Sequence, residues 1–171
     1  MKPFSHNIIF LDTEFSTLDP YKGEILSIGL VKLNGEELYL ELEYDGETND
    51  WVRENILPTL TGDKVSREEA VSKIKKFVGD QKPYAVGFVN QFDTLYVYKL
   101  FGTDKHPFYW LPIDFASILF GNGIDPEKNL VEDNEVAKKL GIDVSKYKKH
   151  NALDDAKLLR EVYLKFFEKY K

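Results

Sequence analysis

Apolar residues run unbroken from Ile8 to Leu11, and two acids, Asp12 and Glu14, follow at the end of the run. A β-branched and aromatic stretch of this kind reads as a strand covered on both faces. Side chains alternate along a strand, so the two acids share a face. A turn-rich loop, Ser16 to Gly23, leads to a second predicted strand over Ile25 to Leu33. Asn34-Gly35 then supplies a strong hairpin signal. From Glu37 to Tyr44, Leu38, Leu40 and Leu42 fall on one side, which predicts a third, half-exposed strand. The chain therefore opens as an antiparallel meander whose first strand carries the acidic pair.

The pattern changes period afterwards. A polar loop covers Asp45 to Asp50, and Pro58 limits any helix within Trp51 to Leu60. Ser66-x-x-Glu69 is a capping-box pattern, followed by Ala70, Ile74, Phe77 and Val78 at helical spacing. Lys73, Lys75 and Lys76 on that helix are read as a solvated face. Tyr84 to Val89 predicts a buried strand that feeds a helix from Asn90 through Phe101. Thr103 to Pro112 reads as an aromatic and proline-rich loop, and Ile113 to Leu119 stays open between strand and helix. A polar loop spans Gly121 to Asp133. Asn134 is expected to cap a short helix ending at Gly141, and a long helix is expected over Ala152 to Tyr170. Strands alternating with helices in the second half imply parallel pairing beside the meander. The expected class is α/β: a mixed central sheet flanked by helices, in a single domain over 1–171.

Composition narrows the classes. Hydrophobic residues make up 43% and charged residues 30% of 171 positions, the balance of a soluble globular protein. There is no cysteine, which excludes disulfides and thiolate metal sites and fits a reducing compartment. No apolar run is long enough to span a membrane, and the start lacks the pattern of a secretory signal; the expectation is cytoplasmic. A net charge of −6 argues against a broad, electrostatically driven nucleic-acid binder. It does not exclude an enzyme that meets phosphates through bound cations.

Three places carry candidate chemistry. At ~4 Å and an effective dielectric of ~20, two carboxylates such as Asp12 and Glu14 repel by ~4 kcal/mol, so a cation must offset them or one must hold a proton. The competing reading is a solvated strand end. Asp93 lies just past the fourth predicted strand, where an acid also suits the first turn of a helix. Asn151 is a good N-cap for the last helix and Asp154 falls at N3. His150 and Asp155 then occupy the N′ and N4 positions, which often touch as an apolar staple. Plain capping with an exposed histidine is the alternative there.

Taken in order, Asp12, Glu14, Asp93, His150 and Asp155 form Asp-x-Glu, Asp, His-x4-Asp. The segments Phe10-Leu11-Asp12-Thr13-Glu14-Phe15, Phe92-Asp93 and His150-Asn151-Ala152-Leu153-Asp154-Asp155-Ala156 resemble the DEDDh family of 3′-to-5′ exonucleases, with a ribonuclease H-like fold. The likeness extends through Ile25-Leu26-Ser27-Ile28-Gly29 and Trp51-Val52-Arg53 to Leu57-Pro58, and looks like the compact exoribonuclease branch known from mycobacteria. There are departures. Phe15 stands where many members have threonine, and Val89 stands where many have asparagine, with Asn90 one place later. Asp155, not Asp154, matches the family's catalytic aspartate.

The resemblance implies a hydrolase that releases nucleoside 5′-monophosphates from a single-stranded or 3′-overhanging end, with RNA favoured and a homodimer left open. Carboxylates without cysteine or clustered histidine suit Mg2+ or Mn2+, two ions per site. Asp12 would bridge both ions, Glu14 and Asp155 complete one site, and Asp93 serve the other. His150 would be the general base. Thr13, Phe15, Phe92 and Lys149 are the candidate substrate contacts, although alternation favours core packing for Thr13 and burial suits Phe92. Phosphate contact is also open for Lys146 and Lys148. Trp51, Tyr109 and Trp110 are expected to be buried rather than to stack on bases, and His6 and His106 to do no chemistry.

Two other functions remain. Leu11-Asp12-x-Glu14-x-Ser16 and Asp154-Asp155 faintly echo a haloacid dehalogenase-like phosphatase, which wants an aspartate at Glu14 and a cap region. An inactive exonuclease-like domain that only binds nucleic acid is the second alternative; the complete five-residue set speaks against it.

Overall fold

The computed structural model describes residues 2–129 and 134–169. Its six strands are β1 (Ile8–Phe15), β2 (Ile25–Lys32), β3 (Glu37–Leu42), β4 (Lys64–Val65), β5 (Tyr84–Gly87) and β6 (Ile113–Asp114). They form one sheet in the order β4-β3-β2-β1-β5-β6. The meander is antiparallel, while β5, β6 and β4 pair parallel to their neighbours. The helices are α1 (Asp50–Asn55), α2 (Arg67–Val78), α3 (Gln91–Phe101), α4 (Phe115–Gly121), α5 (Glu135–Lys139) and α6 (Ala152–Lys169). This is the mixed α/β sheet expected. Among the described residues no helix is long and apolar enough to cross a membrane.

Alternation along β1 divides the core. Ile9 and Leu11 pack with Ile74 of α2 and Val97 of α3. Ile8 and Phe10 pack on the other side with Phe115 of α4 and Leu159, Tyr163 and Phe166 of α6. Asp12 and Glu14 continue the second row, so they emerge beside the start of α6. A third small cluster, Leu26 with Val52 and Ile56, fastens α1 to the sheet.

Several boundaries differ from the sequence expectation. β5 stops at Gly87 because Val89 takes a φ of 54° and turns its N–H to the Asp114 carboxylate, 2.8 Å away. Ile113 to Leu119 resolves into two strand residues and then α4, capped by Asp114 on the N–H groups of Ala116 and Ser117. β3 ends at Leu42, and its outward side is not solvated at Glu41. That side chain is 3% exposed, because the N–H groups of Thr61 and Gly62 fold over it at 3.0 Å each. β4 was not expected. Ser66 does cap α2 by accepting from the Glu69 N–H, and Lys73, Lys75 and Lys76 are exposed. Asn134 precedes α5 with φ 38° and makes no side-chain cap. The loop expected over Gly121 to Asp133 includes a 3-10 turn at Glu127–Asn129, and its last four positions lie outside the described residues, as does Tyr170.

A valine at positive φ is uncommon and costs on the order of 1–2 kcal/mol, whereas asparagine tolerates that region. Val89→Asn is therefore expected to raise stability by roughly 1 kcal/mol, measured as the urea midpoint. An unchanged or lower midpoint would show that the valine side chain contributes more in packing than its backbone costs.

Candidate active site

The end of β1 and the start of α6 meet at one point. Asp12 pairs with Gly29 and Glu14 with Ser27 across β2. A Cβ on Gly29 would lie 2.2 Å from the Ala152 carbonyl oxygen, so the first turn of α6 rests directly on β2. The Asn151 carboxamide caps that turn by accepting from the Asp154 N–H at 3.2 Å. Asp155 consequently faces the sheet. Carboxylate oxygens of Asp12, Glu14 and Asp155 all lie within 4.8 Å of one another.

Asp93 arrives from the other side of the sheet, in the first turn of α3. Its Oδ1 accepts from the Thr13 N–H at 2.9 Å and from the Thr13 hydroxyl at 2.6 Å. Thr13 is buried as alternation requires, and its polar groups fix the Asp93 carboxylate. Asp93 is outside the tightest oxygen cluster but borders the same cavity.

The crowding shows in the acids. Burial raises the Asp12 carboxyl well above the usual carboxylate range, and the charges of Asp93, Asp155 and Glu14 add to it. Glu14 is pushed up to about 8 by burial and by Asp155 and Asp93. Asp155 reaches about 7 through burial and Asp154, held back by the backbone N–H groups of Asn151 and His150. Asp93 reaches about 6 through burial, with the Thr13 hydroxyl and amide opposing it. Buried like charges need a counter-charge or protons. Every donor in the set is an oxygen, and the chain has no cysteine. This fits a hard divalent cation.

His150 is half-buried and borders the same cavity, of about 470 Å3. Burial and the Lys149 charge lower its pKa. Its φ of 55° is left-handed, and its carbonyl accepts from the Thr59 hydroxyl at 2.8 Å. Lys149 is exposed and also borders the cavity, as do Phe15 and Phe92. The Phe15 ring stacks on Tyr96 at 4.7 Å, and Phe92 packs against the core. Lys146 and Lys148 are exposed. Asp154 turns away: it accepts from the Lys148 N–H at 2.9 Å and pairs with Lys157. The Asp154-Asp155 pair that a phosphatase reading needs is thus not assembled.

Two tryptophans contradict the expectation of burial. Trp110 is 68% exposed and Trp51 is 53% exposed. The first lies on a surface loop beside the half-buried Tyr109. The second stands on the outer side of α1, whose inner side chain is Val52, and meets the His150 ring edge-on with centroids 5.2 Å apart. Thr59 carries no signal in the sequence, while Trp51 and Gly29 lie in segments that carry the resemblance without a role in the site assigned to them.

Known proteins share the sequence pattern and the fold of this chain. The RNase T family model, described as Exonuclease, matches residues 9–163. PolC-type DNA polymerase III of Thermotoga maritima is 28% identical over 95% of this chain and 12% of its own length. Escherichia coli ExoI, in a zinc-bound complex with single-stranded DNA, superimposes with a TM-score of 0.73 at 16% identity, over 96% of this chain and 40% of that one. A chain in the structure of the yeast NOT1 MIF4G domain co-crystallized with CAF1 gives 0.63 at 15% identity, over 97% and 81%. These structural likenesses are likenesses of fold, and the chain spans only a small part of the curated polymerase. With a family model covering most of its length, two acids on the first strand and a histidine-aspartate pair at the start of the last helix, the chain belongs to the DEDDh-type exonuclease family.

Proposed function

We propose that this chain removes nucleotides from the 3′ end of a single strand by metal-dependent hydrolysis. The observation that carries the reading is the convergence of Asp12, Glu14 and Asp155 oxygens within 4.8 Å, in one cavity that His150 also lines. Two Mg2+ or Mn2+ ions, when bound, would supply the positive charge that activates a water and steadies the leaving oxygen. Asp12, Glu14 and Asp155 would hold that charge, and Asp93, oriented by Thr13, would complete it. His150 has its pKa lowered by burial and Lys149, so it is neutral near pH 7 and can take the water's proton. The water oxygen forms a bond to phosphorus as the bond to the 3′-oxygen breaks; the water's proton passes to His150 and the departing 3′-oxygen takes up a proton from solvent. The products are a nucleoside 5′-monophosphate and a shortened strand. Lys149 would meet the scissile strand's phosphates, and Phe15 and Phe92 the terminal nucleotide.

RNA is the first substrate, on the resemblance of the motifs. DNA is the second reading, supported by the polymerase relative and the single-stranded DNA in the ExoI complex. The test is a digestion of matched RNA and DNA oligonucleotides, labelled at the 5′ end, with Mg2+. The expected result is a descending ladder that Asp12→Ala abolishes, with the faster ladder on RNA. A ladder from the 5′ end, cleavage that survives Asp12→Ala, or none with either sugar would overturn the proposal. Binding without hydrolysis would favour the inactive-domain alternative.

A further inference from the structure

We propose that Thr59, together with Trp51, is a positioning residue for His150: it holds the histidine backbone from below while the tryptophan ring holds the imidazole from the side. The inference rests on the reading of His150 as the base. His150 has a backbone conformation that L side chains seldom adopt, with φ 55°. Such a residue keeps its place only where its surroundings fix it. Two groups fix it. Thr59 is buried, and its hydroxyl lies 2.8 Å from the His150 carbonyl across 91 residues of sequence. The same hydroxyl lies 2.8 Å from the Ile56 carbonyl, so its one proton bridges the two segments. Trp51 closes the other side with its edge-on ring.

The segment that carries both residues is anchored to the meander. Asn49 caps α1 by accepting from the Val52 N–H at 2.9 Å. Val52 and Ile56 pack on Leu26 of β2. Glu41 of β3 takes the Thr61 and Gly62 amides. Residues 50–62 are thus a bracket fastened to the meander, and its free groups reach His150. The α6 turn brings the histidine to the acids; the bracket sets where its ring points.

The test uses the full chain with Thr59→Val, Thr59→Ser and Trp51→Ala. Thr59→Val keeps the shape and loses the hydroxyl. It is expected to lower kcat by roughly ten- to a hundredfold on a single-stranded oligonucleotide with Mg2+, as a displaced catalytic group does, while KM changes by less than about twofold. Thr59→Ser should restore most of kcat. Trp51 is exposed, so Trp51→Ala should fold and show the same split. The second measurement needs no turnover. In metal-free protein with 13C-labelled histidine, the chain's 3 histidines give separate imidazole signals, and His150→Ala assigns the one of interest. That signal should move or broaden in Thr59→Val and Trp51→Ala and stay in place in Thr59→Ser. Wild-type kcat in both non-conservative variants, or an unmoved His150 signal in both, overturns the inference. If the wild-type chain cleaves nothing, the nuclease reading fails, and the histidine signal still decides whether Thr59 and Trp51 hold the ring.

Discussion

Gly29→Ala is expected to cost about 1–3 kcal/mol of stability, as overpacking does, and to lower exonuclease activity by about a hundredfold or more. The added Cβ would lie 2.2, 2.3 and 2.4 Å from the Ala152 oxygen, the Ala152 carbon and the Leu153 nitrogen. All are backbone atoms, so no rotamer change relieves the clash. Either β2 or the start of α6 must shift. β2 is the middle of the meander, bonded to β1 and β3 along most of its length, so the helix start yields. Asp155 is only one turn further on. Its oxygen then leaves a cluster whose members are now within 4.8 Å, and His150 moves with it. Gly121→Ala is the control, since nothing lies within 4 Å of its Cβ position and it ends α4; it should leave activity unchanged and raise stability by up to about 1 kcal/mol. The measurements are urea denaturation and cleavage of a labelled oligonucleotide. A fully active Gly29→Ala protein would mean that the approach of α6 to the sheet does not assemble the site.

The same contact explains what could be read from the chain and what could not. Asp12 and Glu14 were legible because a strand has a period of two and the run before them is apolar. Asp155 was legible because it falls one helical turn after a good N-cap, with His150 just before it. Asp93 was legible by motif, although not its tie to Thr13, which joins residues 80 apart. Gly29 has no side chain to announce a role, and only the packing against Ala152 reveals it. Thr59 and Trp51 sit on a short segment broken by Pro58, where periodicity says little, and their partner is far along the chain. Glu41 looked solvent-facing because its alternation is correct; a loop folding back over that face buries it. Trp51 and Trp110 looked like core because large aromatics usually are. Their exposure follows from the placement of α1 and the loop before β6, which local pattern does not determine.

The acids themselves should make the metal-free protein less stable as pH rises. Asp93 at about 6, Asp155 at about 7 and Glu14 at about 8 have folded-state values above those of an unfolded chain, and Asp12 is raised as well. From about pH 4, where unfolded carboxylates lose their protons, up to about pH 8 the fold retains more protons than the unfolded chain. Stability therefore falls across that window, by about 1.4 kcal/mol per pH unit for each proton retained in excess. Metal reverses the trend, because it binds the ionised set and releases the protons. Mg2+ at about a hundred times its dissociation constant should restore about 2.7 kcal/mol at pH 8 and almost nothing at pH 5. Asp12→Asn separates the two effects. It removes one charge from the crowd at nearly constant shape, so without metal it should be the more stable protein at pH 8, by on the order of 1–3 kcal/mol, with a shallower pH profile. It should also lose the response to Mg2+ and the activity. Thermal denaturation of both proteins from pH 5 to pH 8, with and without Mg2+, decides it. A metal-free wild type that gains stability towards pH 8, or an Asp12→Asn protein still stabilised by Mg2+, would mean that these carboxylates are neutralised by something other than protons and divalent ions.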